Sequence, residues 1–173
     1  MSKPEITIRK ATVEDLPFIA ETIPLVIAFM RQIGNEQWDD TYPLVSDFTE
    51  DIHNGTCYMF LVNGASAGFL TLDQFQRDCY LNVKWGHDDS IYPAFIVHRF
   101  CVNPAFHGLG IARAMLPLVE ATAKSLGGGQ IRIDSYSKNG RMLYTIETSG
   151  YTQRGYFMNP ARPLPYHCYD KLI

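Results

Sequence analysis

The four cysteines of this chain, Cys57, Cys79, Cys101 and Cys168, are widely spaced and form no C-x-x-C pair. That absence removes the usual thiol spacing of a structural zinc site or a dithiol redox centre, so free thiols in a reducing compartment are expected, and no metal. Also missing is any Lys/Arg-rich run: 15 basic residues are scattered against 18 acidic ones, for a formal net charge of −3. A nucleic-acid partner needs a basic footprint to meet the phosphate backbone, and none is expected. No apolar stretch is long enough for a membrane span, and Met1 to Ile6 lack the apolar core of a signal peptide. A soluble, cytoplasmic protein with no membrane partner is the expectation. Internal repeats, low-complexity tracts and linkers are absent too.

The 173 residues, 46% of them hydrophobic, suffice for one domain with a substantial core, taken as 1–173. Residues 6–10 alternate as a first strand, and Thr12 with Asp15 makes a capping-box-like helix start. Pro24 lacks the N–H that a helix interior needs, which predicts two helical pieces, 13–22 and 25–33, ended by Gly34 and Asn35. Leu44, Phe48 and Ile52 then give a short amphipathic helix, with Trp38 and Tyr42 in the link before it. Strands 57–62 and 67–72 flank Asn63-Gly64, a strong hairpin signal. Residues 73–91 are polar and irregular, with a short strand expected at Tyr80 to Trp85 and no chemistry legible.

The richest stretch runs from Phe95 to Met115. An apolar, β-branched and aromatic run ends at Val102, Asn103-Pro104 stops it, and Gly108 and Gly110 lead into a helix from about Ile111. Such a turn aims main-chain N–H groups from the positive end of a helix dipole, and glycines let a ligand come close. The expected ligand is an anion, a pyrophosphate. No Lys follows a suitable glycine, so this is not a P-loop. A dinucleotide fingerprint begun at Gly108 meets Arg113 where its third glycine belongs, although Asp134 lies about where a ribose-binding acid falls.

Downstream, Ile111, Met115, Leu118, Thr122 and Leu126 mark the expected core face of the helix, with a bend at Pro117 and an end at residues 127–129. A strand at 130–134, a helix at 139–150 and two strands joined by a proline-containing turn complete the chain.

Residues Val102 to Ala112 resemble the acyl-coenzyme-A signature of the GCN5-related N-acetyltransferase (GNAT) family, in which a strand ending V-x-P is followed by [QR]-x-x-G-x-[GA]. Gly110 and Ala112 match the last two fixed positions, and His107 replaces the Gln or Arg. A second motif, Asn139-x-x-Met142 on a helix closed by Gly150-Tyr151, resembles the family's closing motif and follows in the right order. The resemblance implies an α/β fold with a mixed, largely antiparallel twisted sheet flanked by helices, and acetyl-CoA as cosubstrate. It assigns the main chain of Phe100 and Val102 to the pantetheine arm and acetyl group. The turn Gly108, Leu109, Gly110, Ile111, Ala112 and Arg113 goes to the pyrophosphate, and His107, Asn139 and Met142 to further cofactor contact.

It also implies an N-acetyltransferase acting on a primary amine of a small molecule or peptide, by direct attack in a ternary complex. Trp38 and Tyr42 are candidates either to line the acceptor pocket or to pack as aromatics against the sheet. Acetyl transfer needs a base for the ammonium and a proton for the leaving thiolate. His98, placed by period two on the face of Phe100 and Val102, resembles the basic histidine of arylalkylamine-type members. His98→Ala is expected to lower kcat more than cofactor affinity. Asp134 occupies a position where some members carry a Glu base. Where the family carries a tyrosine acid stands Ile146, with Tyr144 on another side of the helix and Tyr136 an alternative. That departure keeps open a non-catalytic acyl-CoA-binding or regulatory domain of the same fold. A nicotinamide-dependent oxidoreductase is the more distant rival, and the aromatic C-terminal strands suit a homodimer.

Overall fold

A computed structural model of the chain describes residues 4–173. The strands are β1 (Ile6–Lys10), β2 (Cys57–Val62), β3 (Ala65–Asp73), β4 (Ala94–Val102), β5 (Gln130–Tyr136), β6 (Thr152–Phe157) and β7 (Tyr166–Leu172). The helices are α1 (Leu16–Gln32), α2 (Val45–His53), α3 (Ile111–Ser125) and α4 (Gly140–Thr148). The strands form one seven-stranded sheet in the order β1-β2-β3-β4-β5-β7-β6. Pairing is antiparallel for β1–β2, β2–β3, β5–β7 and β6–β7, and parallel for β4–β5. The expected mixed, largely antiparallel α/β sheet flanked by helices is the observed fold.

Chain contacts divide the molecule into two compact units. One holds the described residues up to Thr71 together with Arg99–Leu118. Its core packs Ile19, Ile23, Val26, Ile27 and Met30 of α1 against Phe48, Cys57, Met59, Phe69 and Cys101. Those α1 positions recur with the helical period, so one stripe of the helix is buried. Contrary to the two-piece expectation, α1 runs unbroken through Pro24. Both Pro24 and Ala20, whose carbonyl loses its partner, are exposed. The lost bond therefore lies on the solvent side, while the buried stripe on either side holds the helix together. Trp38 is 4% exposed and packs within this core, the second of its two expected roles, whereas Tyr42 is 36% exposed.

At the start of α1 the two Arg9 guanidinium Nη atoms donate to Asp15 at 2.7 and 2.8 Å, and the Thr12 N–H donates to Oδ2 at 2.8 Å. The Arg9 hydrogen bonds are the main cause, and with the Thr12 N–H they outweigh burial, holding the Asp15 carboxyl below its ordinary 3.8. A depressed carboxylate contributes stability that is full above the unfolded value and is lost as the pH falls through the lower folded value. Asp15→Asn is therefore expected to cost about 1 kcal/mol at pH 7, since solvent screens the half-exposed Arg9. The gap should begin to narrow below about pH 4 and close below the lower folded value. Urea unfolding at pH 7 and pH 3 measures it; an equal gap at both would detach the cost from this carboxylate.

The second unit holds Leu72–His98 and Val119–Ile173. Its core joins Tyr80, Val83, Ala94, Ile96 and Cys168, with Trp85 and Phe157 packed against them. The strand expected at Tyr80 to Trp85 is instead a 3₁₀ turn, Asp78–Tyr80, followed by tight turns. Local bonds from the N–H groups of Tyr80, Leu81 and Val83 to carbonyls three residues back satisfy the backbone without a strand partner. β5 extends beyond Asp134 to Tyr136 because the β7 ladder continues to the Tyr136–Tyr166 pair.

α3 continues through Pro117, which is exposed, and its fully covered side chains are Ile111, Met115, Leu116, Val119 and Ala123. The expected face is thus rotated: Leu118 and Thr122 are only partly covered and Leu126 is 51% exposed. All four cysteines are free. Burial pushes the Cys57 thiol up to about 12, with Asp51 adding to the effect, and raises those of Cys101 and Cys168 as well, so these thiols serve packing. Among the described residues no helix is long and apolar enough to cross a membrane.

Candidate functional site

The parallel β4–β5 ladder covers only Ala94–Val97 opposite Gln130–Ile133, although β4 runs on to Val102. Just beyond the last paired residue, Arg99 has φ of 50°. A left-handed residue other than glycine costs about 1–2 kcal/mol inside a strand and requires surrounding structure to hold it. It also interrupts the period-two alternation from which a common face for His98, Phe100 and Val102 was expected. Arg99 is held by its side chain: Nη1 donates to Asp51 Oδ2 at 2.5 Å and lies 3.4 Å from the Thr71 hydroxyl, which donates to the same carboxylate. The Tyr42 and Phe48 rings each lie 5.8 Å from the guanidinium carbon. One edge of Phe100–Val102 lies outside the β5 ladder. On the β3 side the chains are close: a Cβ at Gly68 would come within 2.4 Å of the Cys101 carbonyl oxygen, so only glycine fits.

After Val102, the Asn103 side chain accepts from the Ala105 N–H at 2.9 Å and donates to the Thr22 hydroxyl at 2.9 Å. These bonds shape the 3₁₀ turn Pro104–Phe106 and tie it to α1. His107, the departure from the resembled signature, has a structural account. Its Nε2 lies 3.2 Å from the Val102 carbonyl and its ring meets the Phe29 ring edge-on at 4.6 Å, so it braces the turn against strand end and helix.

Gly108 and Gly110 then take φ of 80° and 71°, and a Cβ at either would meet nothing within 4 Å. The space beside both glycines is open, on a backbone that other residues adopt only with strain. α3 follows directly, its first turn free of acidic residues and its Ala114 N–H bonded back to the Gly110 carbonyl at 3.1 Å. First-turn amides of a helix have no carbonyl one turn earlier to bond, so this 15-residue helix aims donors and a positive dipole end at the turn. Leu109 is 61% exposed and Ile111 is 2% exposed in the core, so Ile111 offers a ligand its main chain alone. One continuous segment of one unit therefore carries Phe100, Val102 and His107 to Arg113. An open, left-handed, anion-favouring cradle fits a pyrophosphate.

The other named residues, His98, Asp134, Asn139 and Met142, belong to the second unit. Asn139 is the N-cap of α4, its side-chain oxygen accepting from the Met142 N–H at 3.3 Å, so the two motif positions are joined as the start of a helix. Ile146 is fully buried, Tyr144 is 65% exposed, and Tyr136 is buried with its ring 5.1 Å from that of Tyr166.

His98 is 6% exposed with both ring nitrogens engaged: Arg77 Nη2 lies 3.0 Å from Nδ1 and Asp73 Oδ1 lies 3.0 Å from Nε2. A guanidinium only donates, so Nδ1 is the acceptor and Nε2 carries the proton that Asp73 accepts. Asp134 accepts the Tyr80 hydroxyl on Oδ2, and its Oδ1 has no hydrogen-bond partner among the described residues. Burial, followed by the Asp134 charge, raises the Tyr80 hydroxyl well above its ordinary value, keeping it a donor. The 73–91 segment, in which the sequence offered no chemistry, thus supplies the partners of both candidate catalytic residues. Nothing in its irregular pattern marked Asp73, Arg77 and Tyr80, because each acts across a large sequence separation.

The sequence profile of the Acetyltransferase (GNAT) family matches residues 25–148. No curated protein matches the chain. Solved structures do. A GNAT-family acetyltransferase from Streptococcus agalactiae aligns with a TM-score of 0.82 at 24% identity, covering 97% of this chain and 95% of that one. One from Listeria monocytogenes gives 0.75 at 22% identity, over 97% and 95% of the two chains. The protein yncA from Salmonella typhimurium, solved with its cofactor acetyl-CoA, gives 0.64 at 19% identity, over 96% and 93%. At these identities the likeness is one of fold.

Proposed function

The chain belongs to the acetyltransferase (GNAT) family, and on that premise we propose that it transfers the acetyl group of acetyl-CoA to a primary amine by direct attack in a ternary complex. The observation that carries this is the open turn at Gly108 and Gly110 ahead of α3, a cradle for the pyrophosphate of the coenzyme. The acetyl-CoA bound to yncA supports the same choice of ligand. In this reading Gly108 to Arg113 hold the pyrophosphate, the main chain of Phe100 and Val102 meets the pantetheine arm, and Asn139 and Met142 contact the coenzyme from the α4 start.

Acetyl-CoA supplies a thioester whose carbonyl carbon takes the amine lone pair and whose thiolate leaves. The chain's task is to move the protons. Asp134, with Oδ2 held by Tyr80 and Oδ1 open, is the acceptor for the ammonium proton. His98, its Nδ1 lone pair already committed to Arg77, keeps that wall of the site in place as a positioning residue. The balance is one ammonium and one thioester to one amide, one CoA thiol and one proton.

The buried Ile146, standing where a tyrosine acid belongs, favours as second reading a domain that binds acyl-CoA without turnover. A panel of small amines and peptides incubated with acetyl-CoA separates the two. Release of CoA with an acetylated amine of matching mass is expected. Binding of acetyl-CoA with no release across the panel would favour the second reading.

A further inference from the structure

The geometry points to an acceptor amine that also carries a carboxylate, an amino-acid-like substrate, with Arg99 as the residue that selects it. This rests on the acetyltransferase reading and deepens it. Arg99 has only Nη1 committed, to Asp51 and Thr71. Its Nε is shut off from solvent without a hydrogen-bond partner among the described residues, and Nη2 has none either. Nε and Nη2 form one edge of the guanidinium fork, whose two parallel N–H groups match the two oxygens of a carboxylate. A carbonyl or hydroxyl satisfies only one of them.

The guanidinium is ion-paired with Asp51, but a buried N–H without a partner is still costly, and an anion that arrives with the substrate would supply one. The Tyr42 and Phe48 rings beside the guanidinium lower the local polarity and strengthen such a pair. The backbone agrees independently, since Arg99 holds a left-handed conformation within a strand, a strain that clusters at binding sites. It directly precedes Phe100, to whose main chain the proposed function assigns the reacting end of acetyl-CoA. Asp51 neutralises the opposite edge of the fork and fixes its plane. A simple alkylamine or polyamine brings a second cation, or nothing, to this edge.

The test compares acceptors in matched sets: an amino acid, its carboxamide and its decarboxylated amine, each assayed for CoA release with the acetyl product identified by mass. At least one amino acid should exceed its two analogues by about 100-fold or more in kcat/KM, as expected when a site built to pair a polar group meets an analogue lacking it. Arg99→Lys keeps the charge and loses the fork, so it should bring that ratio to within about fivefold of unity. The wild-type ratio needs no variant, so the proposal stays testable if Arg99→Lys folds poorly. Brisk acetylation of amines with a wild-type ratio near one would overturn the carboxylate proposal and leave acetyl transfer standing. A ratio that survives Arg99→Lys would also overturn it. Acetyl-CoA binding without turnover on any acceptor would overturn both.

Discussion

Gly110→Val will weaken acetyl-CoA binding by about 100-fold or more, the loss expected when a close backbone approach to a charged ligand is blocked. Gly110 has φ of 71° with nothing within 4 Å of a built Cβ, so the added Cβ points into open space, the space that the proposed function assigns to the coenzyme. The cost to the fold is the left-handed penalty of about 1–2 kcal/mol, a drop of about 2–8 °C in Tm for a chain of this size. Calorimetric titration beside a melting curve separates the two effects. A folded variant that keeps wild-type affinity would move the pyrophosphate away from this turn.

Asp134→Asn will lower kcat by about 100- to 10,000-fold, the range for loss of a general base, with little change in the KM for acetyl-CoA. The substitution keeps the shape, and Asn still offers an oxygen to the Tyr80 hydroxyl, so what is removed is the negative charge on a group with one open oxygen. His98→Ala should cost less. Sequence alone made His98 a candidate base, beside the reading of a hydrogen-bonded core histidine, because an imidazole suits an ammonium proton, but the ring has Arg77 on the nitrogen that would take it. Turnover by a folded Asp134→Asn protein at the wild-type rate would remove Asp134 from the chemistry. A larger loss from His98→Ala would return the role to His98.

What was legible in the sequence was whatever depends on local pattern. The strand ending at Val102 and the glycine turn before α3 are written in a β-branched run, an Asn-Pro stop and two closely spaced glycines, and the turn lies where they put it. The hairpin at Asn63-Gly64 is equally local, and Asn63 does take φ of 49°. What was hidden depends on partners distant along the chain. The kink at Arg99 follows from a carboxylate in α2 and a hydroxyl in β3, and strict alternation over β4 cannot reveal it. Pro24 misled because the bond it removes lies on the exposed side of α1, and the buried stripe on either side carries the helix across it. The α3 core face was drawn one position away because Leu118, Thr122 and Leu126 share the helical period with Leu116, Val119 and Ala123. His107 read as a flaw in a signature until its contacts with Val102 and Phe29 were visible.

The central claim, acetyl transfer from acetyl-CoA to an amine, is tested most directly by mass spectrometry on the purified chain incubated with acetyl-CoA and the amine panel. The account predicts one acetylated amine for each CoA released, dependent on the protein and lost in Gly110→Val. Acetyl-CoA left intact across the panel by a folded protein that binds it would contradict the account.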